Sequence, residues 1–376
     1  MFTAQKVREL AFPQGRLELA SLKIPCSPDY CWVHPKMGTL AESGELLITM
    51  QQLLLRESDV FSPIYQIKSQ DGGRSWSEPE CSQALGRRRY GEEEEGICDF
   101  TPTWHERTGK LLGIGHTVRY RGERLAPDPR KRETAYAVYD LETSSWSSWK
   151  TLEMPDDDKF FNSGAGCVQR VDLPSGEILL PITFYDGKLP YRSFTVLRCA
   201  FDGENLTYLE HGTEHILLRK RGFLEPSLVE FGGEYFVTLR AGDGRGYVSS
   251  SSDGLNYKEP RPWTWDDGTE LATGDTQQHW LKLKDKLFLV YTRVTPDNSH
   301  VFRHRAPLFM AEVDPKRLCL IRNTEVVLVP ERGARLGNFQ VTQLPDKAIV
   351  TVSEWMQPVG CDKYGSDNSI YLATLT

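Results

Sequence analysis

The chain has 376 residues, 39% hydrophobic, 26% charged and 11% aromatic, with 31 glycines and 22 prolines; this is a turn-rich globular composition and excludes a disordered chain. A net charge of −7 argues against nucleic acid as the partner, and no run of about 18 apolar residues is present that could span a membrane as a helix. The opening MFTAQKVRELAF lacks a basic segment followed by an apolar core, so no secretory signal is expected and the compartment is read as cytoplasmic.

Helical periodicity is scarce along the chain. A short apolar run entered from a Gly- or Asp-bearing turn recurs instead: GELLITM (44–50), GKLLGIGHT (109–117), GEILLPITF (176–184), GEYFVTLR (233–240), DKLFLVYTR (285–293) and DKAIVTVSEW (346–355). Each reads as a strand. After each of the first five comes another strand and an acidic turn. In Ser69-Gln70-Asp71-Gly72-Gly73-Arg74-Ser75-Trp76, the Asp71 carboxylate can fold back on the amides of its own turn. Gly72 and Gly73 allow positive φ, and Trp76 supplies an apolar wedge. Asp140 with Trp146, Asp202 with Tyr208 and Asp253 with Tyr257 repeat the pattern, while Asp314 lacks the aromatic.

These aspartates lie 69, 62, 51 and 61 residues apart, a strand-built repeat that indicates a radial array of small sheets. The expectation is an all-β, six-bladed β-propeller of four-stranded antiparallel sheets over 1–376. The N-terminal strand around RLELASLKI (16–24) would close the ring on the blade begun by SIYLATLT (369–376). A pair of β-sandwiches is the competing architecture, but no linker rich in Pro, Gly or Ser divides the chain. GEEEEG (91–96) and HTVRYRGERLAPDPRKRE (116–133) are polar and read as surface loops.

The acidic-turn motif on a propeller resembles the sialidase (neuraminidase) superfamily. EPSLVEFGGEYFVTLRAGDGRGYVSSSSDG (225–254) resembles the sialidase blade in which Glu-Pro opens one strand and an Arg ends the next. NSGAGCVQRVDLPSGEILLP (162–181), ESDVFSPIYQIKSQDGGRSW (57–76) and GICDFTPTWHERTGKLLGIG (96–115) extend the likeness in order along the chain. The resemblance implies Asp59 as general acid/base and Glu225 as partner carboxylate. It also implies Asp99 as a pocket aspartate, and Arg240 with Arg305, or else Arg303, as an anion clamp. A guanidinium fork suits a carboxylate-bearing sugar. The bland alternatives are an exposed loop carboxylate for Asp59, a turn cap for Asp99, a turn former for Glu225 and surface arginines.

Two departures stand out. Val33-His34-Pro35 replaces the superfamily's Arg-Ile-Pro, so the first clamp arginine is missing. Gly337-Asn338-Phe339-Gln340 lies where the tyrosine nucleophile is expected. His34, His116, His279 and His304 fall at inner-strand ends and are the further substrate-binding candidates, since imidazole titrates near neutral pH. The eight cysteines are scattered without C-x-x-C, so neither a metal, another cofactor nor a disulfide framework is expected. The resemblance implies an exo-glycoside hydrolase releasing a terminal acidic sugar from an oligosaccharide or polysaccharide. A uronate lyase using a histidine, and a non-catalytic carbohydrate-binding propeller, are the alternatives.

Overall fold

The apolar runs become the second strands of successive antiparallel sheets. The computed structural model describes residues 1–40 and 43–376, and its strands group into six such sheets and one two-stranded ribbon. The first sheet comprises Tyr30–Leu40, Glu45–Leu54, Tyr65–Ser69 and Glu80–Cys81. The second is built on Glu93–His105, Lys110–Arg121 and Thr134–Asp140, and the third on Asn162–Gly164, Ile178–Tyr185, Ser193–Phe201 and Leu206–His211. Phe223–Phe231, Glu234–Ala241, Gly246–Ser251 and Arg261–Pro262 form the fourth. In the fifth, His279–Leu283 and Lys286–Tyr291 lead to Leu308–Asp314, whose outer edge is shared by Cys319–Leu320 and Val326–Val329. The sixth joins Arg335–Gln343, Ala348–Trp355 and Ile370–Leu375 to Gly15–Leu22 and Gln5–Phe12.

Continuous apolar strands need cover on both faces, and a separate apolar cluster fills each gap between neighbouring sheets. Leu47 meets Phe100 and Leu111 between the first and second, and Ile114 meets Ile182 between the second and third. Val196 meets Val237, and Val248 meets Leu289, at the next two gaps. Phe288 packs with Val350 between the fifth and sixth, and Ile370 with Ile48 returns the ring to the first sheet. Gly15–Leu22 pairs antiparallel with Ile370–Leu375, from Leu17 opposite Leu375 to Leu22 opposite Ile370. Both chain ends therefore share one sheet of a β-propeller.

The acidic turns all use the same device. Asp71 Oδ1 accepts from the amides of Arg74 and Ser75 at 3.0 and 2.9 Å, and Trp76 is fully buried. Asp140, Asp202, Asp253 and Asp314 likewise accept from amides two or three residues ahead.

The two segments read as loops are different. Glu93–His105 and Lys110–Arg121 form one long hairpin that carries GEEEEG and the start of 116–133. Their polar residues pair across the strands: Arg119 with Glu95 at 3.0 Å and Arg121 with Glu93 at 2.9 Å. Opposite charges facing each other support a strand without any apolar stripe. No helix among the described residues is long and apolar enough to cross a membrane.

Candidate functional site

Each inner strand is interrupted near the same end of the ring by one non-glycine residue of left-handed backbone. His34, Asp99, Glu225 and Asn338 sit at register shifts of the first, second, fourth and sixth sheets, with φ of 56°, 54°, 44° and 53°. In the third sheet Cys167 (φ 54°) lies between Asn162–Gly164 and Val171–Asp172, which both pair with Ile178–Tyr185. In the fifth, Asp275 (φ 55°) precedes His279–Leu283. A bulge re-aims a side chain out of the pleat, and strained non-glycine backbone concentrates at functional sites. Six such residues, one per sheet, mark the centre of one face.

A cavity of about 520 Å³ opens there. Its lining includes Asp59, Asp99, His116, Glu225, Arg240, Arg303 and Arg305, so most of the residues singled out in the sequence are brought together. Asp59 is exposed at the mouth, on left-handed backbone (φ 58°) with Ser58 Oγ donating to its Oδ2 at 3.0 Å. Glu225 is partly buried: Oε1 accepts from Arg240 Nη1 at 2.6 Å, while Oε2 has no hydrogen-bond partner. Arg240 is buried and also donates from Nε to Asp275 Oδ1 at 2.8 Å. Burial opposes its charge, but these two carboxylates outweigh burial and raise its pKa.

Three of the four histidines do not line the cavity. His34 is buried behind it, its ring tilted against Phe61 and Trp355, with Nδ1 3.3 Å from Gln51 Oε1. Asn338 donates one amide hydrogen to His34 Nε2 at 3.0 Å and the other to Asp99 Oδ1 at 2.8 Å. His279 is buried deeper, bound to Ser227 Oγ at 2.6 Å and to Gln277. His304 braces a turn through Asn298 at 2.9 Å. Of the four histidines singled out as substrate-binding candidates, these three lie outside the lining: a strand-end position does not fix the direction in which the ring points. Only His116 lines the cavity, and burial, aided by Arg132, lowers its pKa to about 3. Burial likewise lowers His34 and His279.

Asp99 carries the opposite balance. Burial would raise its pKa, but His34, His116 and Lys36 around it and the Cys167 thiol, donating at 2.8 Å, hold the carboxyl well below the usual range. His34, Cys98 and Asp99 bring ligand-type atoms within 4.8 Å of one another. Asn338 already donates to both His34 Nε2 and Asp99 Oδ1, and the Lys36 ammonium lies 3.6 Å from Cys167 Sγ. With those acceptors taken and a cation already present, the cluster reads as a hydrogen-bond network and not as a metal centre.

Six arginines of the cavity escaped the sequence reading: Arg119, Arg130, Arg132, Arg192, Arg221 and Arg335. Arg132 lies in the segment read as a loop. Arg132, Arg192 and Arg305 come one to three residues before the third strands of their sheets, and that recurring offset was the available signal. Among the described residues, Arg132, Arg192, Arg305 and Arg335 have no carboxylate within ion-pair distance. Burial lowers Arg192 and Arg305 to about 9 and Arg335 to about 10, with Arg132 adding to the first and Arg240 to the second. Uncompensated guanidinium groups facing one cavity form a site for an anion. Among the described residues, no tyrosine lines it.

No protein-family model matches the chain, and no curated protein matches it. Among solved structures it is similar to the Hadza microbial sialidase Hz136, with a TM-score of 0.62 and 15% identity over 91% of this chain and 65% of that one. It is also similar to Trypanosoma rangeli sialidase, with a TM-score of 0.63 and 15% identity over 94% of this chain and 56% of that one. The structure described as NanB plus Optactamide gives 0.60 and 12%, over 93% and 71%. The chain thus spans about half to two-thirds of the length of most of these structures. Interlocking apolar gaps, a shared first-and-last sheet and these neighbours agree: by fold, this chain is a sialidase-like β-propeller.

Proposed function

We propose that this protein is an exo-acting glycoside hydrolase that removes a terminal acidic sugar from a glycan. The observation that carries the reading is the convergence of arginines without a carboxylate partner, among the described residues, with Asp59 and Glu225 on one cavity. Arg305 and Arg335 would hold the sugar's carboxylate, since the Arg240 fork is already engaged by Glu225 and Asp275. Asp59, at the mouth, would protonate the departing oxygen. Glu225 Oε2, an acceptor with no partner, would take the proton of an attacking water. With asparagine at 338 and no tyrosine in the lining, direct attack by water is the route the residues favour, and it inverts the anomeric centre.

The neighbours described as sialidases, one of them in complex with sialic acid, favour an acidic sugar as substrate. Elimination from a uronate fits less well, because an imidazole whose pKa is depressed to about 3 is a weak base for a C5 proton. A screen of aryl glycosides of sialic, uronic and neutral sugars tests the reading. Turnover is expected with an acidic glycoside and lost in Asp59→Asn and Glu225→Gln. Turnover unchanged in both variants would remove these carboxylates from the reaction, and an ultraviolet-absorbing unsaturated product would establish elimination instead.

A further inference from the structure

The run Arg130-Lys131-Arg132 is the second wall of the cavity, and its charges are unevenly used. Arg130 pairs with Asp128 at 3.0 Å and Lys131 with Glu133 at 3.0 Å. Arg132 has no such partner among the described residues, and its guanidinium makes no hydrogen bond there. Gly164 leaves room for it: a Cβ at that position would come within 3.0 Å of Arg132 Cδ. Arg192 lies on the same wall, oriented by Asn162 Oδ1 at 2.6 Å and by the Tyr185 ring, whose centroid is 4.3 Å away. Asn162 is itself anchored to the Arg130 carbonyl at 2.8 Å. The wall therefore holds two guanidiniums, Arg192 oriented by its neighbours and Arg132 unbonded, and neither has a carboxylate within ion-pair distance among the described residues.

Its position relative to the other pair is set by the ring. Arg132 and Arg192 belong to the second and third sheets, Arg305 and Arg335 to the fifth and sixth. In a closed ring of six, the second sheet faces the fifth and the third faces the sixth. Arg305 Nε and Arg335 Nε are buried without partners, and the two guanidiniums bond only neutral oxygens, Asp275 O at 3.3 Å and Gln357 Oε1 at 2.8 Å. The two pairs therefore face each other across the axis.

We propose that the cavity binds two anionic groups at once, one at Arg305 and Arg335 and one across the axis at Arg132 and Arg192, so that the substrate is an acidic sugar that also carries a sulfate or phosphate ester. The proposal rests on the reading of the cavity as a sugar site. The proximity of Arg132 to Arg192, which helps to lower the latter's pKa, fits a pair of cations waiting for a shared counter-ion.

Calorimetric titration of the full chain with inorganic sulfate tests the two sites without requiring turnover. Two sulfates are expected per chain. Arg132→Met with Arg192→Met is expected to abolish one, and Arg305→Met with Arg335→Met the other. Where a double variant does not fold, Arg132→Gln alone is expected to weaken one of the two sites about tenfold. A single sulfate in the wild type, or two of undiminished affinity in the Arg132 variants, would overturn the proposal. Repeating the titration with inorganic phosphate assigns the ester: the tighter of the two anions at the Arg132 site names it. Two bound anions with no glycoside turned over would sink the hydrolase reading and leave the two-anion site standing.

Discussion

Arg240 donates to Glu225 Oε1 at 2.6 Å while holding Asp275 at 2.8 Å, so its buried charge is balanced from within the protein. Arg305 is equally buried and has no carboxylate partner among the described residues. The two arginines should therefore respond oppositely to deletion of charge. Arg240→Met strands two carboxylates and is expected to lower the unfolding free energy by about 3–5 kcal/mol. Arg305→Met removes an uncompensated cation and is expected to leave stability within about 1 kcal/mol or to raise it. Urea midpoints decide, and equal losses would show that the carboxylates around Arg240 do not set how the fold responds to losing a buried arginine.

In their proposed roles Asp59 and Glu225 are separable from the acidic turns, which lie at the opposite strand ends: Ser69 pairs with Leu46, whereas the bulge at His34 lies beside Gln51. Loss of a general acid or base costs about 10²–10⁴ in rate, and Asp59→Asn and Glu225→Gln are expected to lower kcat by that range with little change in KM. Asp71→Ala removes the acceptor of two backbone amides in an acidic turn. It is expected to destabilise the protein by about 1–2 kcal/mol and to leave kcat alone. A rate loss in Asp71→Ala as large as in Asp59→Asn would contradict the placement of the site.

The buried histidines set an acid limit. Their pKa values are lowered in the folded protein, so the unfolded chain binds the extra protons once pH drops below about 6.5. Their contribution to stability is complete above that pH and is lost as pH falls toward the folded value, about 3 for His116. The slope should reach about 1.4 kcal/mol per pH unit for each histidine that stays neutral. Asp99, also lowered, acts in a separate window: its contribution is present above the unfolded carboxyl pKa near 4 and lost only below it. Urea midpoints from pH 7.5 to 4.5 are expected to decline, less steeply in His279→Gln. A flat profile between pH 7 and 5 would show the imidazoles to be protonated in the fold.

Ring closure rests on a few leucines near the start of the chain. Leu17 is fully buried between the fifth and sixth sheets, whereas Val7, on the outer strand, is 48% exposed. Leu17→Ala is expected to cost about 2–5 kcal/mol. Val7→Ala should stay within about 0.5 kcal/mol. Comparable losses at the two positions, measured by thermal unfolding, would show that the outer strand is as important to closure as the inner one.

Strands and turns were legible because their physics is local. Ala348–Trp355 is buried along its whole length and opens on the apolar run Ala348-Ile349-Val350. Asp314 keeps its bonds to the amides of Lys316 and Arg317 even without the aromatic. The hairpin of Glu93–His105 and Lys110–Arg121 was illegible beyond its core because Arg119 and Glu95 stabilise each other only once paired. The arginines of the wall were missed for the same reason, since an arginine without a partner looks like any surface arginine until the ring folds. His279 shows the converse. Its strand-end position was readable, but its bond to Ser227, 52 residues away, was not.

The left-handed residues at the inner bulges have no side-chain type in common: histidine, aspartate, cysteine, glutamate, aspartate and asparagine occupy equivalent places. What they share is a backbone conformation that costs a non-glycine residue about 1 kcal/mol or more, imposed by the sheet around each one. The fold thus behaves as a chuck with six jaws, each accepting a different tool without being recut. Exchanging the tool in one jaw changes the chemistry offered at the axis, and because Asn338 bonds both His34 and Asp99 and Cys167 bonds Asp99, it is felt in the jaws beside it.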